Sequence, residues 1–390
     1  MSAALHSLTG APDPARDPAA SLFRLDAPLR RIETEGVRSR LPAGPAATLG
    51  ARVDDFFAHQ AGGEALLVGA LPFDPSHDDA LFQPAQVRMP ESGLPPGVAA
   101  RGDHAIEVPS AADYADAVAR CIARLDAGVG AEALRKVVLA RSLRVEAALP
   151  IDPRALAARL GADRNVTTYV TPVPADADGA SGWLVGATPE LLVSRRGRAI
   201  TSHPLAGSAR RLADPEADRR AAEALLASAK DHDEHRHVVD AIVEALAPLC
   251  SELQAPARPS LHATATMWHL GTRITGTLKD PTASAAALAG LLHPTPAVCG
   301  TPRAQALEVI RELEPVDRGF YAGAVGWADA QGDGDWYVSI RCAHVQGRTM
   351  RLFAGAGIVS GSQPALEVDE TAAKFRALLD ALGIDEARAA

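Results

Sequence analysis

Residues 320–359 place the strongest constraint on how this chain can fold. They read FYAGAVGWADAQGDGDWYVSIRCAHVQGRTMRLFAGAGIV, in which β-branched and aromatic residues are separated by glycines. This pattern predicts three antiparallel strands joined by glycine turns, in a meander. Residues 182–204 predict a further strand, a bend and a hairpin with Arg196-Gly197 as its tight turn. Strands in connected runs, with helices grouped elsewhere, favour an α+β fold.

The predicted helices have clear boundaries. Residues 110–128 begin with Ser110 as N-cap and end at a glycine. Residues 217–249 are rich in alanine and leucine and predict a long helical stretch with one break, and residues 370–383 predict an amphipathic helix. Two further strands are predicted, in residues 65–75 and 135–147.

Composition excludes several classes of function. A formal net charge of -9 and a pI near 5.7 argue against a protein that binds nucleic acid or anionic membranes. No apolar run of about 18 residues or secretory signal is present. The cysteines at 121, 250, 299 and 342 lack the spacing of a zinc site or disulfide framework. We therefore expect a cytoplasmic enzyme for a small molecule, with residues 1–20 as a disordered leader.

Two acidic pairs share one spacing. Asp231 and Glu234 lie three residues apart in a predicted helix, and Glu367 and Glu370 repeat the spacing near the C-terminus, with Lys374 one turn later. Two helices that present carboxylates to one point could bind Mg²⁺, which prefers oxygen ligands. Solvated helix faces, with an ordinary Glu370–Lys374 ion pair, explain the same spacing.

Lys136 and Glu190 are each open to two interpretations. Lys136 begins an apolar strand, where it could extend to the sheet edge or be buried as a base of depressed pKa. Glu190 follows the proline of GATPELLV and could face solvent or be a buried, protonated acid. Composition does not choose between these alternatives.

Other polar motifs are weaker signals. His232, His235 and His237 lack the HExxH spacing of zinc proteases and predict a surface or supporting role. The AGAG motif at residues 354–357 allows either close approach of a ligand to the backbone or a tight strand-to-helix corner. The GDGDW motif at 332–336 predicts a hairpin turn.

In combination, these motifs resemble the chorismate-utilising enzymes: isochorismate synthase, salicylate synthase, anthranilate synthase component I and aminodeoxychorismate synthase component I. The resemblance is dense over residues 130–385 and weaker near residues 70–75. It rests on the order and spacing of KVVLAR, GATPELL, SHPLAGSARR, KDxxEH, MWHL, LLHPTPAVCGTP, GFYAGAVGW, SIRCA, LFAGAGIV and ExxETxxK.

The resemblance implies the fold of anthranilate synthase component I, in which two antiparallel β-sheets pack face to face with helices outside. Residues 21–105 would form the N-terminal part, and residues 106–390 the chorismate-binding catalytic region of the same structural domain. It also implies one Mg²⁺, with Glu370 and Glu234 as ligands and Glu367 and Asp231 assisting directly or through water.

The resemblance further implies how chorismate is bound and converted. Lys136 corresponds to the base that activates water at C2, and Glu190 to the acid that protonates the hydroxyl leaving C4. The remaining implied substrate contacts are Gly207, Ser208, His269, Ala297, Val298, Arg341, Gly355 and Lys374. The implied activity is isochorismate synthase, an isomerase, for 2,3-dihydroxybenzoate and siderophore biosynthesis.

Alternatives within the family differ in the strength of their support. Salicylate synthases share the Lys base and Glu acid and then eliminate pyruvate, whereas Ala206 argues against the covalent lysine of aminodeoxychorismate synthases. The HPTPAVCGTP segment and Phe353 favour an isochorismate synthase, with the menaquinone pathway as a second assignment. A non-catalytic chorismate-binding relative would not need both Lys136 and Glu190. A monomer without a glutamine amidotransferase subunit is expected.

Overall fold

The computed structural model describes residues 22–28, 30–59, 65–88, 102–130, 133–174 and 182–382. The predicted disordered leader, residues 1–20, lies outside the described residues. In the described ranges no helix is long and apolar enough to cross a membrane.

Twenty strands are defined in these ranges. In chain order they are β1 Phe23–Ala27, β2 Arg30–Arg40, β3 Leu66–Leu71, β4 Ala80–Arg88, β5 Gly102–Val108, β6 Lys136–Ala147, β7 Thr167–Val173, β8 Gly182–Thr188, β9 Leu191–Arg196, β10 Ala199–His203, β11 Leu205–Arg210, β12 Cys250–Gln254, β13 Ser260–Ala263, β14 Met267–Gly271, β15 Ile274–Leu278, β16 Gly300–Thr301, β17 Ala324–Asp329, β18 Gly334–Val338, β19 Cys342–Gln346 and β20 Thr349–Ile358.

Eight α-helices accompany the described strands. They are α1 Leu49–His59, α2 Ala111–Ala127, α3 Pro153–Leu160, α4 Pro215–Ala227, α5 Ala229–Leu246, α6 Ala285–Leu292, α7 Arg303–Leu313 and α8 Pro364–Leu382. Short 3₁₀ turns occur at Ala46–Thr48 and Ala247–Leu249.

The sheets confirm the predicted antiparallel α+β class. Seventeen strands are hydrogen-bonded into one continuous network, and β11, β14 and β13 form a separate three-stranded sheet. Every strand pair with a defined register is antiparallel, and the longest ladder joins β20 to β6 from Thr349↔Glu146 to Ile358↔Val137. Backbone hydrogen bonds thus join the seventeen strands into one antiparallel network.

The predicted helices are confirmed, although not all of their boundaries. The Ser110 side chain accepts a hydrogen bond from the Asp113 backbone, as an N-cap should. The long helical stretch breaks once, at Ser228, which ends α4 and whose side chain caps α5 through the Asp231 backbone. The helix predicted at 370–383 begins earlier, at Pro364.

Two local predictions are wrong. Residues 320–359 contain four strands, and they do not form one meander: β18 pairs with β17 and β9, whereas β19 pairs with β20 and β8. The chain changes neighbours at residues 339–341, where the backbone of Arg341 is left-handed with φ of 50°. The predicted turn at Arg196-Gly197 is displaced by one residue, because Arg196 pairs with Ala199 and leaves Gly197 and Arg198 as the turn.

Helix α8 is fixed against the long β6–β20 ladder. Arg141 projects from β6, is buried, and donates to the Thr371 hydroxyl at 2.9 Å and to the Val368 carbonyl at 3.4 Å on α8. Its guanidinium also lies 5.4 Å from the centre of the Phe375 ring. These contacts set the position of the helix that carries Glu367, Glu370 and Lys374.

Candidate active site

A cavity of about 410 Å³ opens between β6, β11, β14, β20, the N-terminal part of α5 and the middle and C-terminal parts of α8. Its wall brings together twelve of the fourteen site residues predicted from the sequence; Lys136 and Glu367 lie just behind the wall, each against a cavity residue. The twelve are Glu190, Gly207, Ser208, Asp231, Glu234, His269, Ala297, Val298, Arg341, Gly355, Glu370 and Lys374.

Lys136 is completely buried at the start of β6. Its Nζ lies 2.9 Å from Oε1 of Glu234 on α5, a hydrogen bond that an ammonium or a neutral amine can donate. Burial would raise the pKa of Glu234, but the charge and hydrogen bond of Lys136 reverse that effect and lower it. The alternative that Lys136 extends to solvent is therefore wrong.

Gly357 allows this pair to form. A Cβ atom at this position would lie 2.7 Å from Oε1 of Glu234 and 3.1 Å from Cε of Lys136. The AGAG motif lies within β20, and the corner towards α8 comes after it, at residues 359–363. The motif therefore provides close approach, here to the Lys136–Glu234 pair.

Glu190 lies in the bend between β8 and β9 and is only 2% exposed. Burial raises the pKa of Glu190 to about 8, although the charges of Lys136 and Arg341 oppose this shift. At neutral pH the carboxyl group therefore carries its proton and can donate it. The alternative of a solvent-facing Glu190 is wrong.

Arg341 and His269 form a part-buried pair in the cavity wall. Arg341 Nη2 contacts Nε2 of His269, and His269 also bonds to the backbone of Gly207. Burial and the neighbouring charges of Arg341 and Lys374 hold the pKa of His269 well below its usual range. Burial lowers the pKa of Arg341 to about 10, so the guanidinium remains a cation at neutral pH and can bind a carboxylate.

Helix α8 presents an acidic and basic face to the cavity. The Lys374 Nζ lies 2.7 Å from both the Glu370 carboxylate and the Gly355 carbonyl, which confirms the predicted ion pair one turn apart. Glu367 is buried beside this pair and lies 3.5 Å from Nζ of Lys230 on α5. Burial raises the pKa of Glu367, and the nearby Lys230 opposes this effect.

Asp231 approaches the backbone of β11 at Gly207. Gly207 has φ of 80°, and a Cβ there would lie 3.0 Å from that of Asp231. Burial and the charge of Glu234 raise the pKa of Asp231, although the Ser228 hydroxyl opposes this. Burial is the larger of these two causes, and the like charge of Glu234 adds to it.

The carboxylates suit a hard divalent cation. Asp231, Glu234 and Glu370 line one cavity from two helices, and carboxylate oxygen is the ligand type that Mg²⁺ prefers. In the described part of the chain, no three histidine, cysteine or acidic side chains already converge as a ligand set. The reason is visible in the contacts: Glu234 and Glu370 are each turned towards a lysine.

The neighbouring histidines take other partners. His232 bonds to the Leu226 carbonyl at 2.8 Å, and His237 lies 3.7 Å from Asp233. His235 is buried and bonds to the Thr272 hydroxyl at 2.7 Å. The predicted supporting role fits these contacts.

The predicted site residues do not include every residue of the wall, and Tyr321, Phe353 and Lys230 are among those left out. Tyr321 and Phe353 stack with ring centres 4.8 Å apart and planes 8° from parallel, and both face the cavity. Lys230 also lines it. The sequence could have drawn attention to Lys230 because the chain has only four lysines.

Comparison with known proteins gives one consistent family. Residues 99–383 match the model of the chorismate binding enzymes. Isochorismate synthase DhbC of Bacillus subtilis (strain 168) is 42% identical over 93% of this chain and 94% of its own length. Isochorismate synthase EntC of Escherichia coli (strain K12) is 40% identical over 82% of this chain and 81% of its own.

A solved structure extends the likeness to the fold. A Bacillus anthracis protein provisionally described as a 2,3-dihydroxybenzoate-specific isochorismate synthase, DhbC, superposes with a TM-score of 0.87 at 40% identity. The match covers 95% of this chain and 99% of the solved one. The fold implied by the sequence motifs is thereby confirmed.

Proposed function

The chain belongs to the chorismate-binding enzyme family, and from this premise we propose that it is an isochorismate synthase that converts chorismate to isochorismate with Mg²⁺. One observation carries the proposal: the cavity wall has a buried carboxylic acid, Glu190, whose pKa is raised to about 8, and just behind the wall lies a buried amine, Lys136, close enough to influence that pKa. An acid and a base beside one cavity are what exchange of a hydroxyl group between two ring carbons requires.

Each group has a defined task in this reaction. Lys136 must lose its ammonium proton to act as a base, and the neutral amine then removes a proton from the water that attacks C2 of the ring. Glu190 gives its proton to the hydroxyl that leaves C4, so that water departs and the double bonds shift. The proton that Lys136 gains and the proton that Glu190 loses balance, and both groups must exchange protons with solvent before the next turnover.

The charges around the cavity fit a dianionic substrate. We assign Arg341, held by His269, to one carboxylate of chorismate, because a guanidinium binds a carboxylate through two parallel hydrogen bonds. The backbone at Gly207, Ser208 and Gly355 and the ammonium of Lys374 would complete the anion contacts. Mg²⁺, when held by Glu234 and Glu370 with help from Asp231 and Glu367, would neutralise the other carboxylate.

The relatives support a role in the biosynthesis of 2,3-dihydroxybenzoate. The solved relative is described as 2,3-dihydroxybenzoate-specific, and the match to it spans nearly the whole chain. We therefore propose that this enzyme supplies isochorismate for a catechol siderophore. We also propose that it acts as a monomer in the cytoplasm, where its four buried cysteines would remain free thiols.

Isotope labelling tests the proposed route directly. In water enriched in ¹⁸O, isochorismate formed by attack of water at C2 gains one labelled oxygen, located by mass spectrometry of fragments. Isochorismate without the label would refute attack by water and with it the assigned roles of Lys136 and Glu190.

A further inference from the structure

Lysine is used sparingly in this chain, and its placement is uneven. Only four of the 39 basic residues are lysines, at positions 136, 230, 279 and 374. Three of the four lie among the acidic side chains of the cavity, and the fourth, Lys279, donates to the Pro248 carbonyl on an exposed surface. Lys136 and Lys374 have roles in the proposed function, whereas Lys230 has none.

Lys230 lies beside the acidic cluster, which we define as Asp231, Glu234, Glu367 and Glu370: it lines the same cavity, and its Nζ is 3.5 Å from the Glu367 carboxylate. Burial alone would lower the pKa of Lys230, but the charges of all four carboxylates reverse that effect and raise it. The ion pair with Glu367 and the shared cavity wall make its ammonium a counter-charge of the acidic cluster.

Lys230 is held more loosely than the other two cavity lysines. Its Nζ lies 3.5 Å from the Glu367 carboxylate, longer than the ~2.8 Å of a tight charged hydrogen bond, and 54% of its side chain is exposed. Lys136 is fully buried, and Lys374 is held at 2.7 Å by two acceptors. Lys230 can therefore leave the acidic cluster along an open path to solvent.

The residue type fits a charge that must be displaced. Arginine would grip carboxylates through its planar, two-pronged guanidinium, whereas the lysine ammonium is a compact, strongly hydrated charge on a flexible stem. In a chain that uses arginine for nearly all other cationic contacts, lysine at position 230 supplies a charge that can be released.

We propose that Lys230 is the internal counter-cation of the metal-free acidic cluster, and that its ammonium and Mg²⁺ occupy the acidic cluster in turn. The inference rests on the proposed function, since it presupposes that the acidic cluster binds Mg²⁺. The Lys230 ammonium should lower the apparent affinity of the acidic cluster for Mg²⁺, because it must give up its own contacts before Mg²⁺ can bind.

The first test compares Lys230→Met with Lys279→Met, a control that removes the fourth lysine away from the cavity. Mg²⁺ is titrated into each metal-free protein without chorismate by isothermal calorimetry. We expect Lys230→Met to bind Mg²⁺ with a Kd about tenfold lower than wild type, the scale for removing a unit charge near a divalent cation. Lys279→Met should bind as wild type does.

Thermal melting provides a second readout. In EDTA, Lys230→Met should melt at a lower temperature than wild type, because the four carboxylates have lost a neutralising charge, and saturating Mg²⁺ should remove the difference. Unchanged or weaker Mg²⁺ binding by Lys230→Met would overturn this inference and leave the proposed function standing. If wild type bound no Mg²⁺, or if Glu370→Gln bound it equally well, the metal site of the proposed function would fall, and this inference with it.

A measurement on the wild-type protein avoids any effect of the variant on folding. Selective ¹³Cε labelling gives one NMR signal from each of the four lysines, and the signal missing in Lys230→Met identifies that of Lys230. Saturation with Mg²⁺ should shift the Lys230 signal to the position of a solvated lysine and leave that of Lys279 in place. A Lys230 signal that does not move on saturation would overturn the displacement.

Discussion

Lys136, which is fully buried, and Glu234, which lines the cavity, form a pair with Nζ and Oε1 2.9 Å apart that joins the start of β6 to α5. The first residue is the proposed base and the second a proposed Mg²⁺ ligand. Proton removal and Mg²⁺ binding therefore depend on one contact. A change in Lys136 should affect the Mg²⁺ ligand, and a change in Glu234 should affect the base.

Removing the amine tests the proposed base. Lys136→Ala should lower kcat by about 10²-fold or more, the scale of general-base catalysis. Chorismate should still bind, because the anion contacts assigned to Arg341 and Lys374 remain. Steady-state kinetics and calorimetry with chorismate separate the two effects. Lys279→Ala is the control, and turnover at the wild-type rate in Lys136→Ala would remove the assigned role.

The pH profile tests the proposed acid. Glu190 must be protonated to act, and burial raises its pKa to about 8, so its active form predominates at pH 7 and decreases above pH 8. We expect kcat/KM to fall with rising pH, with a midpoint near 8 and a tenfold loss per unit well above it. Glu190→Gln should be about 10²-fold slower or more and should lack this midpoint. A wild-type rate that stays constant to pH 10 is incompatible with the assignment.

Gly357→Ala tests the close approach at the buried pair. The added methyl group would meet the Glu234 carboxylate at 2.7 Å and force the pair apart. A displacement of about 1 Å at a catalytic group can cost about 10²-fold in rate, which is the loss we expect in kcat. Gly347→Ala is the matched control: φ is 56° in the β19–β20 turn, but no atom lies within 4 Å of the added carbon.

The two glycine variants should separate activity from stability. Gly347→Ala should lose about 1–2 kcal/mol in the free energy of unfolding, because of its left-handed backbone, and keep its kcat. Gly357→Ala should lose kcat and keep most of its free energy of unfolding. Equal kcat in both variants would argue that the position of the Lys136–Glu234 pair is unimportant.

A buried ion pair behind the cavity wall, Glu314–Arg318, should contribute to the stability of the fold. Glu314 receives hydrogen bonds from Nε of Arg318 at 2.8 Å and from the Ala140 backbone at 2.7 Å, and Arg318 in turn donates to the carbonyls of Val138 and Val298. Glu314→Ala leaves Arg318 buried without a carboxylate partner. The free energy of unfolding, measured in urea, should therefore fall by about 3–5 kcal/mol. Glu223→Ala, which removes an exposed partner of Arg219, should leave stability unchanged.

Local signals in the sequence predict much of this fold. Ser110 caps α2 because a serine hydroxyl satisfies a free N–H at a helix start, and Ser228 both ends α4 and begins α5 for the same reason. The change of neighbours after β18 could not be predicted, because pairing depends on strands distant in sequence. Cys342↔Gly186 of β19 and β8 illustrates this separation.

The site was predictable as a set of residues and less so as a set of contacts. Spacing placed Glu367, Glu370 and Lys374 on one helix face, which α8 confirms. Whether Lys136 and Glu190 were buried depended on layers that pack over them, and composition carries no such information. Lys230 was overlooked because its role depends on carboxylates from a second helix, α8.

Product analysis distinguishes an isochorismate synthase from the other activities of this enzyme family. Purified enzyme is incubated with chorismate and Mg²⁺, with and without ammonium, and the products are separated by chromatography and identified by mass and absorbance. We predict that isochorismate accumulates to an equilibrium with chorismate, that no pyruvate is released, and that ammonium changes nothing. Salicylate with an equal amount of pyruvate, or an aminated product, would contradict the assignment of this chain as an isochorismate synthase.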